Sequence, residues 1–159
     1  MNIKFEKEFP VPKEVLWDYL TNEKSPNLWC TPVQDFSFSI GETFTSEQSP
    51  SILLSGKFFN TITEFEKYKT LTYESVYKKQ AGVCRKCGEC LTSSLPKCPY
   101  IGDNINSYVT WTFDEKDNKT VLILEHRSLE KTNFIMEFLL KRAWEKAFYS
   151  LSAPILPSL

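Results

Sequence analysis

Four of the five cysteines in this 159-residue chain lie close together, in a segment with little apolar material. Two residues separate Cys84 from Cys87 and Cys87 from Cys90, and Cys98 follows after seven more. Thiolates at Cys-x-x-Cys spacing are common ligands of structural zinc, and Gly88 allows the turn that points backbone amides at the sulfur atoms. The spacing therefore predicts that Cys84, Cys87, Cys90 and Cys98 bind one zinc ion.

Two other chemistries fit the same cysteines. Three cysteines at two-residue gaps and a final Cys98-Pro99 are typical of a ferredoxin iron–sulfur site, but ferredoxins leave three residues before the last cysteine where this chain has seven. Free or redox-paired thiols are the other alternative. An odd number of cysteines is not typical of a disulfide framework, and Cys30 is interpreted as a small buried apolar residue.

The only histidine, His126, is the one imidazole that a Ser-His or Cys-His pair could use as its base. It shares a strand face with Leu122 and Leu124 and is interpreted as a structural histidine, because a catalytic base also needs a partner and a substrate within reach. Three glutamates also fall in strand patterns. They are either polar points in an apolar pocket or solvated positions on the outer face of a sheet: Glu64, Glu74 and Glu125.

The composition excludes several classes of protein. The 19 basic and 20 acidic residues give no global field that would favour nucleic acid or an anionic membrane. No apolar run approaches the roughly 20 residues of a membrane span, and the N-terminus alternates like a strand and lacks the apolar core of a signal peptide. We expect one cytoplasmic domain over residues 1–159, in which a reducing compartment favours metal over disulfide.

One long amphipathic helix is predicted from Thr132 to Leu151, with Thr132 or Asn133 as its cap. Its apolar side chains recur at steps of three and four residues and form a stripe that we expect to be buried: Met136, Leu139, Leu140, Ala143, Trp144, Ala147 and Leu151. Three charged residues of this helix are expected to be exposed: Lys141, Glu145 and Lys146.

The chain before this helix reads mostly as strands. Pro12 is well placed to begin a short helix, and Asn22 to Cys30 is interpreted as a turn and a second short helical piece. Strands that follow one another without helical crossovers indicate an antiparallel sheet. About seven strands are predicted, with a hairpin turn over 114–118: 3–9, 36–38, 42–45, 52–62, 71–77, 108–113 and 120–126.

Residues 79–104 interrupt this pattern and contain the cysteine cluster. The connection is far longer than a usual hairpin loop. A loop of that length without a core is normally either disordered or held together by a cross-link such as a bound metal ion. We therefore interpret residues 79–104 as a metal-binding insertion between two strands.

Several segments together resemble a known family. The segment Phe9–Thr21, with the sequence FPVPKEVLWDYLT, resembles the opening signature of the START-like helix-grip superfamily, also called SRPBCC. Within it, the chain is most similar to the domain related to the C-terminal part of the activator of the heat-shock-protein-ninety ATPase. Residues 63–73 resemble the central strand pair of that group, and residues 109–113 and 120–126 resemble its late hairpin.

The terminal helix carries the rest of the resemblance. Trp144, Phe148 and Leu151 reproduce the spacing of the family's helix motif, although Ala143 and Phe148 stand where glycine and leucine are usual. The resemblance covers nearly the whole chain except residues 79–104.

The resemblance implies an α+β helix-grip fold, in which a curved antiparallel sheet grips the C-terminal helix around an apolar cavity. Family members bind lipids, hormones or polyketides in that cavity, and a minority are cyclases or aromatase-like enzymes. We expect non-catalytic binding of a small hydrophobic or amphipathic molecule; a polyketide-cyclase-like enzyme and a co-chaperone-like protein-interaction module are the alternatives. Aromatic residues make up 14% of the chain, which suits a ligand cavity, and the residues expected to line it are Tyr73, Trp111, His126, Phe138 and Trp144.

The zinc hypothesis predicts the metal content of the protein. Protein expressed without added zinc should contain one equivalent, held tetrahedrally with sulfur–zinc distances of roughly 2.3 Å. Cys87→Ser should lower zinc retention and loosen the insertion while leaving the sheet and the terminal helix folded, because the core motifs lie outside residues 79–104. Metal analysis with far-UV circular dichroism measures both effects. Less than half an equivalent of zinc in reduced protein, or iron with visible absorbance, would overturn the assignment.

Overall fold

The computed structural model describes residues 1–21, 38–46, 56–79, 105–132 and 134–151. Within these ranges the chain forms one antiparallel sheet with the strand order β1-β6-β5-β4-β3-β2 and two helices. The elements in chain order are β1 (Asn2–Phe9), α1 (Lys13–Thr21), β2 (Thr43–Ser46), β3 (Gly56–Glu66), β4 (Thr70–Lys79), β5 (Ile105–Lys116), β6 (Lys119–Ser128) and α2 (Phe134–Ser150).

The sheet has an apolar inner face, because side chains alternate in direction along each strand. In β5, every second residue from Ile105 to Phe113 is buried, and in β6 every second residue from Thr120 to His126 is buried. Both helices pack on this inner face, whereas the residues between the buried positions lie on the outer face. This arrangement confirms the predicted α+β fold with an antiparallel sheet and a long terminal helix.

An aromatic cluster joins α1 to one end of the sheet. The ring of Trp17 is 3% exposed and lies 5.0 Å from Phe113, 5.7 Å from Phe65, 5.8 Å from Phe38 and 6.1 Å from Tyr68, measured between ring centroids. Such ring pairs add to the free energy gained by burying apolar area. The cluster closes the end of the inner face nearest the β3–β4 and β5–β6 turns.

The hairpin between β5 and β6 is tighter than predicted. Residues 114–118 were expected to form the turn, but the ladder continues to Lys116 and Lys119, leaving Asp117 and Asn118 as the turn. These two residues have φ values of 53° and 61°. Two consecutive residues with positive φ match the type I′ turn, whose twist fits the flanking strands and allows pairing up to the turn.

The described residues contain six strands, where the sequence pattern predicted about seven. Of the predicted strand at 36–38 the structure describes only Phe38, which has a φ of 47°, in the left-handed region, and is not part of a strand. Phe36, the second short helical piece at 22–30 and most of the insertion at 79–104 lie outside the described residues.

The terminal helix packs as its stripe predicted. Leu140, Trp144 and Leu151 are buried, and Leu139, Ala143 and Ala147 are partly buried. Lys141 and Lys146 are exposed as expected, while Glu145 is partly buried and lies 3.6 Å from the guanidinium of Arg142. The side chain of Met136 lies outside the described residues. Neither helix in the described part of the chain is long and apolar enough to cross a bilayer.

Candidate functional site

Two neighbouring rungs of the sheet carry four of the five buried polar residues among the described residues; the fifth is Thr120. The first, here called the histidine rung, runs across four strands at Ile62, Tyr73, Val109 and His126, each of which is a direct register partner of the next. All four are at most 4% exposed. The rung therefore places an imidazole and a phenol on one buried row.

The second, here called the polar rung, lies two residues away along each strand, a distance of about 7 Å. Asn60, Ser75 and Ser107 are register partners and are 2%, 3% and 1% exposed. The hydroxyl of Ser107 donates to the backbone carbonyl of Ser75 at 3.2 Å. Three small polar residues in a row are unusual on a mainly apolar face, because each buried polar group must be hydrogen-bonded to avoid a cost in free energy.

A hydrogen bond to α2 fixes the imidazole of the histidine rung. The indole Nε1–H of Trp144 donates to Nδ1 of His126 at 2.8 Å, and the two rings meet edge to face at 5.9 Å. Because Nδ1 accepts this bond, the proton of the neutral imidazole is on Nε2. Nε2 is buried and has no hydrogen-bond partner within the described residues.

The environment of His126 keeps the ring neutral. Burial, with a smaller contribution from the N-terminal ammonium group, lowers the pKa of His126 from 6.5 to about 4. Protonation at Nδ1 would also place a proton against the indole N–H of Trp144. At neutral pH the side chain is thus a hydrogen-bond donor at Nε2, and it carries no charge.

Aromatic rings cover the sheet next to this imidazole. Trp111 lies 5.7 Å from Trp144 and 6.2 Å from Phe148, which in turn stacks on Phe5 at 5.7 Å. Trp111 Nε1 also points at the hydroxyl of Tyr73, at the long distance of 3.5 Å. The rings of β1, β4, β5 and α2 therefore form one continuous aromatic surface that borders the histidine rung.

The structure brings together four of the five side chains that were expected to line a cavity. Tyr73, Trp111, His126 and Trp144 are buried on the inner face and make the contacts described above. Phe138 is 52% exposed, and its ring lies 5.8 Å from the guanidinium of Arg142. Phe138 is therefore on the outer side of α2.

The three strand glutamates lie on the outer face of the sheet, the second of the two alternatives that the sequence left open. Glu125 accepts a hydrogen bond from Arg127 at 2.9 Å, and Glu64 accepts one from the hydroxyl of Thr72 at 3.3 Å. Glu74 is partly buried at an outward-facing position of β4. No Asp, Glu, Lys or Arg side chain is buried in the part of the chain that the structure describes.

The predicted zinc ligands lie outside the described residues: Cys84, Cys87, Cys90 and Cys98. Among the described residues, no group of three or more His, Cys, Asp or Glu side chains could hold a metal ion. The zinc hypothesis thus rests on the spacing of the cysteines.

The polar rung is not among the features predicted from the sequence. Ser75 alternates in step with Leu71 and Tyr73 along its strand, and a polar residue at such an otherwise apolar position is the signal that the sequence offers. Asn60 and Ser107 likewise stand at the alternating positions of their own strands that are mostly apolar. Only the strand register shows that the three residues are neighbours.

Comparison with known proteins identifies one family. The family described as "Activator of Hsp90 ATPase homolog 1-like protein" matches residues 10–154, which is most of the chain. A comparison with curated protein sequences finds no significant match.

Several solved structures have the same fold. The protein MLL2253 from Mesorhizobium loti is 19% identical, with a TM-score of 0.65 over 95% of this chain and 93% of that one. An HSP90 activator from Plasmodium falciparum, PFC0360w, is 19% identical, with a TM-score of 0.57 over 94% and 91% of the two chains. DynU16, from the dynemicin biosynthetic locus, is 14% identical with a TM-score of 0.63; 95% of this chain matches 45% of DynU16.

The neutral state of His126 predicts how stability depends on pH. The folded state binds a proton at His126 less readily than the unfolded state, so the contribution is complete above pH 6.5 and is lost as pH falls to about 4. A shift of this size corresponds to roughly 3 kcal/mol. His126→Asn should remove this step, because the amide oxygen can still accept from Trp144 but does not titrate.

Urea denaturation of both proteins between pH 7 and pH 4 measures the effect, and the difference between the two curves cancels the carboxylates that titrate in the same range. Parallel curves would contradict the assignment of a neutral buried imidazole.

Proposed function

Because the chain belongs to the family of Activator of Hsp90 ATPase homolog 1-like proteins, we propose that it binds a small hydrophobic or amphipathic molecule between α2 and the inner face of the sheet. The binding is non-catalytic. The ligand lies against the aromatic surface formed by Trp111, Trp144 and Phe148, beside the histidine and polar rungs.

The observation that carries this proposal is that the histidine rung and the polar rung lie within a largely aromatic inner face. Ligand sites combine a mainly apolar lining with a few precisely placed polar groups that orient the ligand. If this face served only as a protein core, apolar residues in place of Asn60, Ser75 and Ser107 would make the fold more stable, since burying polar groups costs free energy.

The distribution of titratable groups favours binding over catalysis. General acid–base catalysis needs groups that can take up and release a proton near the working pH. His126 has a pKa of about 4, and the three strand glutamates lie on the opposite face of the sheet. The described inner face therefore supplies a hydrogen-bond donor and aromatic surface, which is sufficient for binding.

Enlarging a side chain of the polar rung tests the proposal. Ser75→Leu should lower the affinity for the uncharged dye Nile red about tenfold or more while leaving the melting temperature nearly unchanged, because the added side chain occupies the ligand's volume. Val76→Leu is the matched control, since Val76 is the next residue of β4 and faces outward. Fluorescence titration and thermal denaturation measure the two effects.

Two results would count against the proposal. If the wild-type protein does not bind the dye, the inner face is not a ligand site. If Ser75→Leu destabilises the fold by about 1–3 kcal/mol, as overpacking of a filled core does, no space lies above the polar rung. Native mass spectrometry of protein purified from its own source is the complementary measurement, because a retained molecule appears as added mass.

A co-chaperone-like function is the second candidate, and a surface on the outer side of α2 favours it. Phe134 is 82% exposed and Phe138, one helical turn later, is 52% exposed. Leu129, shortly before the helix, is 60% exposed. Large apolar side chains exposed together are typical of surfaces that bind another protein.

The co-chaperone candidate predicts an effect on a chaperone ATPase. The wild-type protein should raise the ATPase rate of Hsp90 from the same organism, and the double variant Phe134→Ser/Phe138→Ser should require about tenfold or more protein for the same effect, because aromatic anchors dominate such interfaces. Lys141→Ser, an exposed change on the same helix, is the control. A rate that the wild-type protein does not change would exclude this candidate.

We also propose that Cys84, Cys87, Cys90 and Cys98 hold a structural zinc ion. Four protein ligands leave no position open for water, so the metal would order the insertion and would not take part in catalysis.

A further inference from the structure

One of the two ring nitrogens of the buried His126 imidazole has no hydrogen-bond partner among the described residues. Nδ1 of His126 accepts the indole N–H of Trp144 at 2.8 Å, so Nε2 carries the proton. Nε2 is one of two buried side-chain polar atoms that lack a hydrogen-bond partner among the described residues; the other is Oγ1 of Thr132, just before α2. A buried donor without an acceptor destabilises the folded state. The site is therefore incomplete without an acceptor at Nε2.

The neighbouring side chains place this donor between two unlike parts of the inner face. On one side are the small polar residues of the polar rung, with Ser107 diagonal to His126 in the β5–β6 ladder. On the other side lies the aromatic surface around Trp111 and Phe148. A molecule that reaches Nε2 would thus have a polar end at the rungs and an apolar body against the rings.

The charge of the surroundings restricts the polar end to an uncharged group. No acidic or basic side chain is buried among the described residues, and the imidazole itself is neutral. A buried carboxylate or phosphate would need a cation or several donors to offset its desolvation. A carbonyl or ether oxygen needs only one donor.

We propose that the ligand of the inner face is an uncharged amphipathic molecule whose carbonyl or ether oxygen accepts a hydrogen bond from Nε2–H of His126, while its apolar body packs on Trp111 and Phe148. Trp144 acts as the positioning residue, because its bond to Nδ1 selects the tautomer that can donate. This inference rests on the proposed ligand-binding function and adds the chemical class of the ligand and its orientation.

Two probes of the same shape test the inference. 2-Acetylnaphthalene carries a carbonyl oxygen, and 2-isopropenylnaphthalene has a methylene group in its place. One hydrogen bond of ordinary strength should make the ketone bind about fivefold to tenfold tighter than the alkene. In His126→Met, whose thioether sulfur is a weak acceptor for the Trp144 N–H and which has no donor of its own, the ratio should fall to about one or below. Equilibrium dialysis measures all four affinities.

Nitrogen-15 NMR of the wild-type protein provides a second measurement that needs no variant. The chain has a single histidine, so all imidazole signals belong to His126. The free protein should show the tautomer protonated at Nε2, and the Nε2–H signal should move on addition of the ketone and remain nearly unchanged with the alkene.

The outcomes separate this inference from the proposed function. Equal affinity for ketone and alkene, with an unmoved Nε2–H signal, would overturn the inference and leave ligand binding intact. A proton on Nδ1, or a bound water at Nε2 that the ketone does not displace, would overturn it as well. If neither probe binds the wild-type protein, both the inference and the proposed function fail.

Discussion

The hydrogen bond between the Trp144 indole and the His126 imidazole connects the two main parts of this fold. It is a polar contact between the terminal helix and the centre of the sheet, and it lies where both partners are almost fully buried. In such surroundings a hydrogen bond is electrostatically stronger than in water, and leaving either partner unpaired is costly. A hydrogen bond requires a particular direction between its two partners. This bond therefore fixes the position of α2 on the sheet more sharply than apolar packing alone would.

This one bond also divides the inner face chemically. On the side of Trp111, rings from β1, β5 and α2 offer a mainly apolar surface, in which the indole N–H of Trp111 points at the Tyr73 hydroxyl. On the side of Ser107, small polar groups leave less bulk over the sheet. The imidazole stands at the boundary, and its second nitrogen has no hydrogen-bond partner within the described residues. Fold and proposed function thus depend on the same side chain: one nitrogen serves the helix, and the other is available to a bound molecule.

The long-range features of the fold were predictable because they follow from local periodicity. The stripe Leu140, Trp144 and Leu151 repeats at helical spacing, so its burial could be deduced without knowing its partner. Helical spacing also explains the position of Phe138: at 100° per residue it lies about 200° from Leu140, on the far side of the helix. The polar rung was not predictable in this way. Its residues come from three strands and become neighbours only through the pairing register, which cannot be deduced from the alternation of apolar and polar residues within one strand. The Trp144–His126 bond likewise depends on how the helix lies across the sheet.

The pairing of β1 with β6 has a consequence for how the chain reaches this structure. Phe9 is synthesised long before its ladder partner Thr120, and strands β2 to β5 lie between them in the chain. Contacts between such distant segments require a large loop to close, which makes folding slower than for chains dominated by local pairing. The hairpins β3–β4 and β5–β6 can form as they leave the ribosome, whereas β1 must wait as an unpaired amphipathic segment. Completion of the sheet, and of the face that receives α2, is thus a late event that follows synthesis of β6.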